Sequence, residues 1–306
     1  MVPDGRSGQG RDHPVAAVLA LAAAAVVAGM RGYEAIAGWV KVVPPPVPAD
    51  LYMRAGASPA RPPSKATIWR VVTDADAEAF DATAGRWLMS RQAAGHEEAV
   101  GGDDRAGLVP VRLDGKTIRG AKDAGGNQRH LLAALAGPTA RDAVVAAQAE
   151  VGAKTNEVPM ATGVLGQIDL NGKIVTADAL HTVKATAEFI CERGGEFVLP
   201  VKENRQALFD ALDALPWDQV PVAHAETDRG HGRVTTRTIQ VMPAPEDLPF
   251  PHVRQVLLIE RYVSDLHGNP LSAVAALGVA SPSPDTASPA DLAGYVRGHW
   301  AVESLH

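Results

Sequence analysis

From about residue 107 onward, apolar and β-branched runs of strand length alternate with segments whose apolar residues recur at helical spacing. Short polar turns or glycines separate these runs, as expected between the elements of a folded sheet. A glycine pair, Gly194 and Gly195, ends the second helical segment. The pattern predicts strand, strand, strand, helix, strand, helix and strand at 109–120, 129–136, 143–151, 157–168, 173–178, 182–193 and 196–202.

Three strands in a meander, followed by helix, strand, helix and strand, is the element order of the ribonuclease H-like fold. In that mixed α/β sheet the first and fourth strands lie side by side, although they are distant in the sequence. The first predicted strand carries Asp114, with Gly115 beside it, and the fourth ends at Asp178. Because ligands of open α/β sheets bind beyond the carboxyl ends of the strands, the two aspartates are candidates for a shared metal site.

A third candidate carboxylate, Glu303, lies in a segment of helical spacing, close to His299 on the same side, while Trp300 is predicted to pack in the core. Two aspartates and a glutamate offer hard oxygen ligands, which suit Mg²⁺ or Mn²⁺. Each carboxylate also has an ordinary structural interpretation, since an aspartate after a strand often caps a turn and a glutamate on a helix is often solvated.

Residues 203–290, which follow the last of these strands, are less regular. Two runs, at 233–241 and 253–263, have the apolar pattern of strands, and prolines interrupt the residues between them. We predict a β-rich insertion at about 205–290, followed by a helix that begins near residue 289.

The amino-terminal part contains an alanine-rich apolar run at 15–30 with basic residues ahead of it, a pattern that resembles a signal peptide or a short membrane helix. The run is shorter than the roughly 20 residues that span a bilayer, and an amphipathic segment at 33–39 continues it. We therefore predict a buried helix in a helical domain covering 1–100, ahead of a main domain at 107–306. Since no other stretch is long and apolar enough, we expect a cytoplasmic protein without a membrane partner.

Two further features of this part concern helix boundaries. The proline-rich residues 42–48 are predicted to form a non-helical linker or turn. Ser64 is a candidate N-cap for a helix, and helical spacing resumes at 77–88. Two interpretations remain open: the two helices read DNA as a helix-turn-helix does, or they form a helical cap on the main domain. The residues that favour DNA are Lys65, Thr67 and Arg70.

Composition narrows the class of protein. A hydrophobic content of 46% is typical of a globular chain, and a net charge of −6 argues against a uniformly basic nucleic-acid binder, so any DNA contact must come from local patches. One cysteine, Cys191, excludes a disulfide within the chain and a zinc site built from several cysteines. Cys191 is predicted to be a helix core residue.

Six segments occur together in the order found in DDE transposases of bacterial insertion sequences, and the chain resembles the H-repeat-associated (ISAs-type) group of that family over nearly its whole length. The helices before residue 100 are similar to the helical domain associated with this family. The six segments are LDGKTIRG (113–120), KTNEVP (154–159), VTADALH (175–181), VKEN (201–204), HGRVTTR (231–237) and RGHWAVESLH (297–306).

The resemblance implies a function and a site. Asp114, Asp178 and Glu303 would form the acidic catalytic triad and hold two Mg²⁺ or Mn²⁺ ions, for metal-dependent DNA cleavage and strand transfer at the ends of the element. The partners would be double-stranded DNA, as terminal inverted repeats and target DNA, and a second copy of the chain in a homodimer on the DNA. Contacts to DNA phosphate, or alternatively solvated strand ends, are expected at Lys116, Arg119, Lys202, Arg233 and Arg237.

Two other functions compete with an active transposase. Members of the family usually continue well past the position of His306, so a truncated remnant that binds DNA without cutting it is the second hypothesis. An unrelated metal-dependent nuclease of the same fold is the third. Metal-dependent nicking separates the first from the second, and a requirement for specific DNA ends separates the first from the third.

Overall fold

The computed structural model describes residues 2–6, 11–58, 61–99, 107–122, 125–152 and 157–304, excepting the side chains at 93–99 and 303–304. The chain divides into two compact units, Met1–Ala84 and Gly85–His306. The helices of the first unit pack around a core of small and aliphatic side chains that includes Val18, Leu21 and Ile68. They are α1 (Val15–Val27), α2 (Tyr33–Val42), α3 (Pro46–Arg54), α4 (Lys65–Asp74) and the start of α5 (Ala77–Ala99).

The alanine-rich run forms α1, and its Val18, Leu21 and Ala25 are fully buried. The run is therefore a buried helix, as predicted. Alanine favours the helix, because it loses no side-chain entropy on folding, and it allows neighbouring helices to approach closely. Across the described ranges, no helix combines the length and the apolar character needed to cross a membrane.

The prediction of a non-helical segment at 42–48 is wrong in part, because α3 begins at Pro46. Proline is tolerated in the first turn of a helix, where backbone N–H groups have no intrahelical acceptor. The N-cap prediction for α4 is confirmed, since Oγ of Ser64 accepts a hydrogen bond from the backbone N–H of Thr67 at 3.1 Å.

The described residues of the second unit form one mixed sheet of nine strands, which confirms the prediction of a mixed α/β fold. The strand order is β3-β2-β1-β4-β5-β9-β8-β7-β6. The strands are β1 (Val109–Lys122), β2 (Gln128–Ala136), β3 (Val144–Val151), β4 (Lys173–Ala177), β5 (Glu196–Val201), β6 (His224–Gly230), β7 (Arg233–Pro243), β8 (Gln255–Asp265) and β9 (Pro270–Ala280). The helices are α6 (Val158–Leu165), α7 (Lys184–Glu192), α8 (Gln206–Asp213) and α9 (Pro289–Ser304).

Strand pairing brings the first and fourth strands together, as predicted. β1 is antiparallel to β2 and parallel to β4, and β4 is parallel to β5. The predicted β-rich segment extends this same sheet, because β9 pairs with β5 in antiparallel orientation and β8, β7 and β6 follow it. The sheet thus continues without interruption from β3 to β6.

Helices cover both faces of the sheet. On one face, α6, α7 and α8 pack on a core that includes Leu113, Val175 and Phe197. On the other face, α9 packs on Ile174, Leu257 and neighbouring apolar residues, and Trp300 contacts this second core as predicted. Cys191 of α7 is half-buried against the first core, and burial raises the pKa of its thiol to about 11. A thiol with so high a pKa is protonated at neutral pH and is a poor nucleophile.

Candidate active site

Asp114 lies in the middle of β1 on the face covered by α9. Side chains alternate between the faces of a strand, so Leu113 enters the core on the opposite face while Arg112, Asp114 and Lys116 share this one. The side chain of Asp114 is 13% exposed, and Nζ of Lys116 lies 2.8 Å from its Oδ2. Oδ2 is buried and makes no hydrogen bond within the described residues, so the ion pair with Lys116 is its polar contact.

Asp178 follows β4 directly. The register of the parallel pair places Leu113 opposite Ala177, so Asp114 and Asp178 occupy the next positions on neighbouring strands, whose axes are about 4.8 Å apart. Oδ1 of Asp178 accepts a hydrogen bond from the backbone N–H of Leu180 at 2.8 Å, which caps the short 3-10 turn Ala179–His181. Asp178 is therefore both a cap and an exposed carboxylate beside Asp114.

Helix α9 is anchored to the same place by His299. Nδ1 of this buried imidazole lies 3.2 Å from Oγ1 of Thr176 on β4. Burial lowers the pKa of His299 to about 4, against the opposing effect of the negative charges of Asp114 and Asp178. His299 is thus neutral at pH 7, and it lies close enough to both carboxylates to interact with them electrostatically.

Glu303 lies one helical turn after His299 on α9, on the same side of the helix. Its side chain lies outside the described residues. The structure therefore brings together Asp114, Asp178 and the helix that carries Glu303. Among the side chains that the structure describes, no group of three or more His, Cys, Asp or Glu has the arrangement of a metal site.

A buried arginine that was not among the predicted site residues contacts α9. Arg112 is 1% exposed, and its guanidinium donates to the carbonyl oxygens of Gly137 at 2.8 Å and Pro138 at 3.3 Å. Burial lowers the pKa of its guanidinium. The guanidinium packs against the backbone of Gly298 in α9. A charged residue at an inward position of an apolar strand was the signal that could have revealed it.

We expect Gly298→Ala to destabilise the second unit by about 1–3 kcal/mol, because overpacking a filled site forces neighbours to move. A Cβ at position 298 would lie 2.8 Å from Nη2 of Arg112, which its two carbonyl acceptors hold in place. Thermal unfolding measures the loss. The matched control is Gly294→Ala on the same helix, where a Cβ meets nothing within 4 Å; equal melting temperatures for the two variants would contradict the expectation.

The five candidate DNA-contact residues fall into two groups. Lys116 is paired with Asp114, and Arg237 forms ion pairs with Asp228 at 2.8 Å and Glu226 at 3.6 Å. Arg297 of α9 joins the same two acids, so this cluster ties α9 to β6 and β7. The exposed members of the candidate set, located at the ends of strands, are Arg119, Lys202 and Arg233.

A second polar network lies against Gly115, the residue after Asp114, and none of its residues was among the predicted site residues. Oε1 of Glu157 lies 2.5 Å from Nε2 of His130 on β2, and its Oε2 lies 3.2 Å from Nε2 of His181. Nδ1 of His130 lies 3.0 Å from Oγ1 of Thr117 on β1. Glu157 and His181 both belong to family-like segments of the sequence, whereas His130 carries no local signal.

Comparison with known proteins connects this geometry to a family. The family model for the transposase DDE domain matches residues 108–306, and the DDE_Tnp_1-associated model matches residues 1–88. The chain is 33% identical over 254 residues to an uncharacterized protein encoded in the dhlA 3′ region of Xanthobacter autotrophicus, covering 79% of this chain and 78% of that protein.

Two relatives from Escherichia coli K12, YbfD and YhhI, are named as H repeat-associated transposases. YbfD is 25% identical over 255 residues, which cover 81% of this chain and 93% of YbfD. YhhI is 24% identical over 253 residues, which cover 81% of this chain and 62% of YhhI. Among solved structures, piggyBac transposase in a synaptic complex with hairpin DNA matches 99% of this chain and 61% of its own, at 12% identity and a TM-score of 0.39. The chain belongs to the DDE transposase family, in its H repeat-associated group.

Proposed function

We propose that this chain is an insertion-sequence transposase that catalyses metal-dependent cleavage and strand transfer of DNA at the ends of its element. The observation that carries the proposal is the register of β1 and β4, which puts Asp114 and Asp178 at adjacent positions on neighbouring strands. The bond between His299 and Thr176, one turn before Glu303, supports a triad with the third carboxylate on α9. The order β3-β2-β1-β4-β5 supports a ribonuclease H-like catalytic core.

The residues at this site fit a divalent cation. Oδ2 of Asp114 is buried, and its polar contact in the described part of the chain is the ammonium group of Lys116 at 2.8 Å, so this carboxylate oxygen already faces a positive charge and is suited to a cation. Asp114, Asp178 and Glu303 are hard oxygen donors of the kind that Mg²⁺ and Mn²⁺ prefer, and they would hold two ions. When bound, the ions activate the attacking oxygen and neutralise charge at the phosphate.

The chain's own residues prepare the site in three ways. The ammonium group of Lys116 neutralises the negative charge of Asp114. When a divalent cation neutralises that charge instead, the ammonium group can bind a DNA phosphate. His299 stays neutral, so it holds α9 on β4 without adding a positive charge that would repel the cation. Arg119, Lys202 and Arg233 are exposed and available to contact the phosphate backbone.

The substrate we propose is double-stranded DNA carrying terminal inverted repeats, bound by a homodimer in the cytoplasm. In the presence of Mg²⁺, the purified chain should nick a duplex that contains the ends of its element. It should leave a duplex with scrambled ends intact. Equal nicking of both duplexes would favour a general nuclease of the same fold. Binding of the specific duplex without any nicking would favour the second candidate, a remnant that binds DNA only.

A further inference from the structure

We propose that Glu157 is a positioning residue of the metal site. Its carboxylate contacts both His130 and His181 and packs on the backbone of Gly115, which has no side chain. These contacts fix the distance between Asp114 and Asp178. The inference rests on the proposed function, because it concerns the same site. It adds a residue that does not touch the metal or the DNA and acts through the segments that carry the two aspartates.

The bridge spans both neighbours of β1. His130 lies on β2 and His181 lies in the turn after β4, and each oxygen of Glu157 meets one of them. The side chains of His181, Glu157 and His130 are 1%, 19% and 29% exposed, so the bridge is most shielded from water at His181. One side chain therefore connects the strands on either side of the strand that bears Asp114.

Gly115 makes this bridge possible. A Cβ at position 115 would lie 2.3–2.6 Å from the carboxylate atoms of Glu157, so the carboxylate occupies the space that any other residue would fill. Because successive side chains point to opposite faces of a strand, Glu157 packs on β1 from the face opposite to Asp114. It thus supports the backbone next to Asp114 without competing for the position of the cation.

His181 transmits the same support to Asp178. The backbone N–H of His181 donates to the carbonyl oxygen of Asp178 at 3.1 Å, closing the turn that Asp178 caps. Nδ1 of His181 is buried and has no hydrogen-bond partner in the part of the chain that the structure describes, so its imidazole is held through Nε2 by Glu157. Without that acceptor the buried imidazole would lose its hydrogen bond, and the turn would no longer be held in register with Asp114.

Loss of a residue that orients metal ligands lowers the affinity for the metal more than it lowers the activity of the metal-bound protein. Loss of such partners typically weakens metal affinity by about 10–100-fold. We therefore expect Glu157→Gln, which keeps the size of the side chain but offers only one acceptor oxygen, to raise the Kd for Mn²⁺ by about tenfold. Nicking of DNA should recover to within about threefold of the unaltered chain when Mn²⁺ is raised to saturation.

The test is calorimetric titration of the full chain with Mn²⁺, together with nicking assays across the same range of Mn²⁺. Gly115→Ala provides an independent route to the same defect, because its Cβ displaces the carboxylate. The two substitutions combined should cost little more than either one alone, since both break one bridge. Glu150→Gln is the matched control, because Glu150 is an exposed residue of β3 paired with Arg129 and lies outside the bridge.

The outcomes separate this inference from the proposed function. If Asp178→Asn abolishes Mn²⁺ binding while Glu157→Gln and Gly115→Ala bind Mn²⁺ as the unaltered chain does, the bridge has no positioning role and the inference fails alone. If Glu157→Gln loses binding and high Mn²⁺ restores no nicking, Glu157 is a ligand and the inference is overturned. If the unaltered chain binds no Mn²⁺ that depends on Asp178, the proposed function fails and the inference fails with it.

Discussion

Asp178→Asn is expected to abolish metal-dependent nicking, with a loss of about 10³-fold or more, equivalent to about 4 kcal/mol in the activation free energy. Asparagine caps a turn as well as aspartate does, so the hydrogen bond from Leu180 should survive and the 3-10 turn should keep its shape. The substitution therefore removes one negative charge from the site while leaving the fold intact. A nicking assay on a duplex with element ends, in Mg²⁺ and in Mn²⁺, measures the effect.

The matched control is Asp169→Asn. Asp169 is an exposed aspartate just before β4 whose Oδ1 accepts from the backbone N–H of Asn171 at 3.1 Å, the same local bond that Asp178 makes with Leu180. It lies at the opposite end of β4 from Asp178, so we expect full activity. Retained nicking by the Asp178 variant, at the rate of the Asp169 variant, would remove Asp178 from the catalytic site.

The free energy of unfolding of the second unit is expected to fall by about 3 kcal/mol between pH 6.5 and about pH 4 through His299 alone. In the folded chain burial lowers the pKa of His299 to about 4, whereas in the unfolded chain the ordinary value is 6.5. Above pH 6.5 the imidazole is neutral in both states and contributes no pH dependence. As the pH falls below 6.5 the unfolded chain takes up a proton first, so stability decreases until the folded state also protonates near pH 4.

Urea unfolding at several pH values, in the presence of a chelator, measures this dependence. Other groups titrate over the same range, so the informative quantity is the difference between the unaltered chain and His299→Asn. The asparagine amide can replace Nδ1 in the contact with Thr176 and does not titrate. The variant should lose less stability on acidification than the unaltered chain; parallel curves for the two would contradict the burial of a neutral His299.

Local pattern was enough to predict the half of the sheet that positions the aspartates. β1 and β4 are apolar, β-branched runs bounded by turns, and their order along the chain predicts that they pair, which places Asp114 beside Asp178. β6 and β9 were missed for compositional reasons. β6 is mostly polar and charged, and β9 begins with a proline and is rich in alanine, residues that are uncommon in strands. Both strands form because β5, β7 and β8 offer them partners.

The remaining parts of the candidate site depend on contacts between distant residues. His299 packs on Thr176 and Glu157 meets His130 only after the sheet and helices have assembled, and no local spacing encodes either contact. The burial of Arg112 depends on the carbonyl groups of the loop after β2 and on a glycine at position 298. The sequence pattern therefore located the carboxylates, whereas the residues that hold their supporting segments together required the tertiary structure.

Crystals of the chain soaked in Mn²⁺ would test the proposed metal site most directly, because anomalous scattering locates the ion without reference to activity. The proposed site predicts a peak between the carboxylates of Asp114 and Asp178, coordinated by their oxygen atoms. The same peak should be absent from crystals of Asp178→Asn. A peak elsewhere on the chain would contradict the assignment of this site as the metal centre of the transposase. A peak at this site that persists unchanged in Asp178→Asn would contradict it as well.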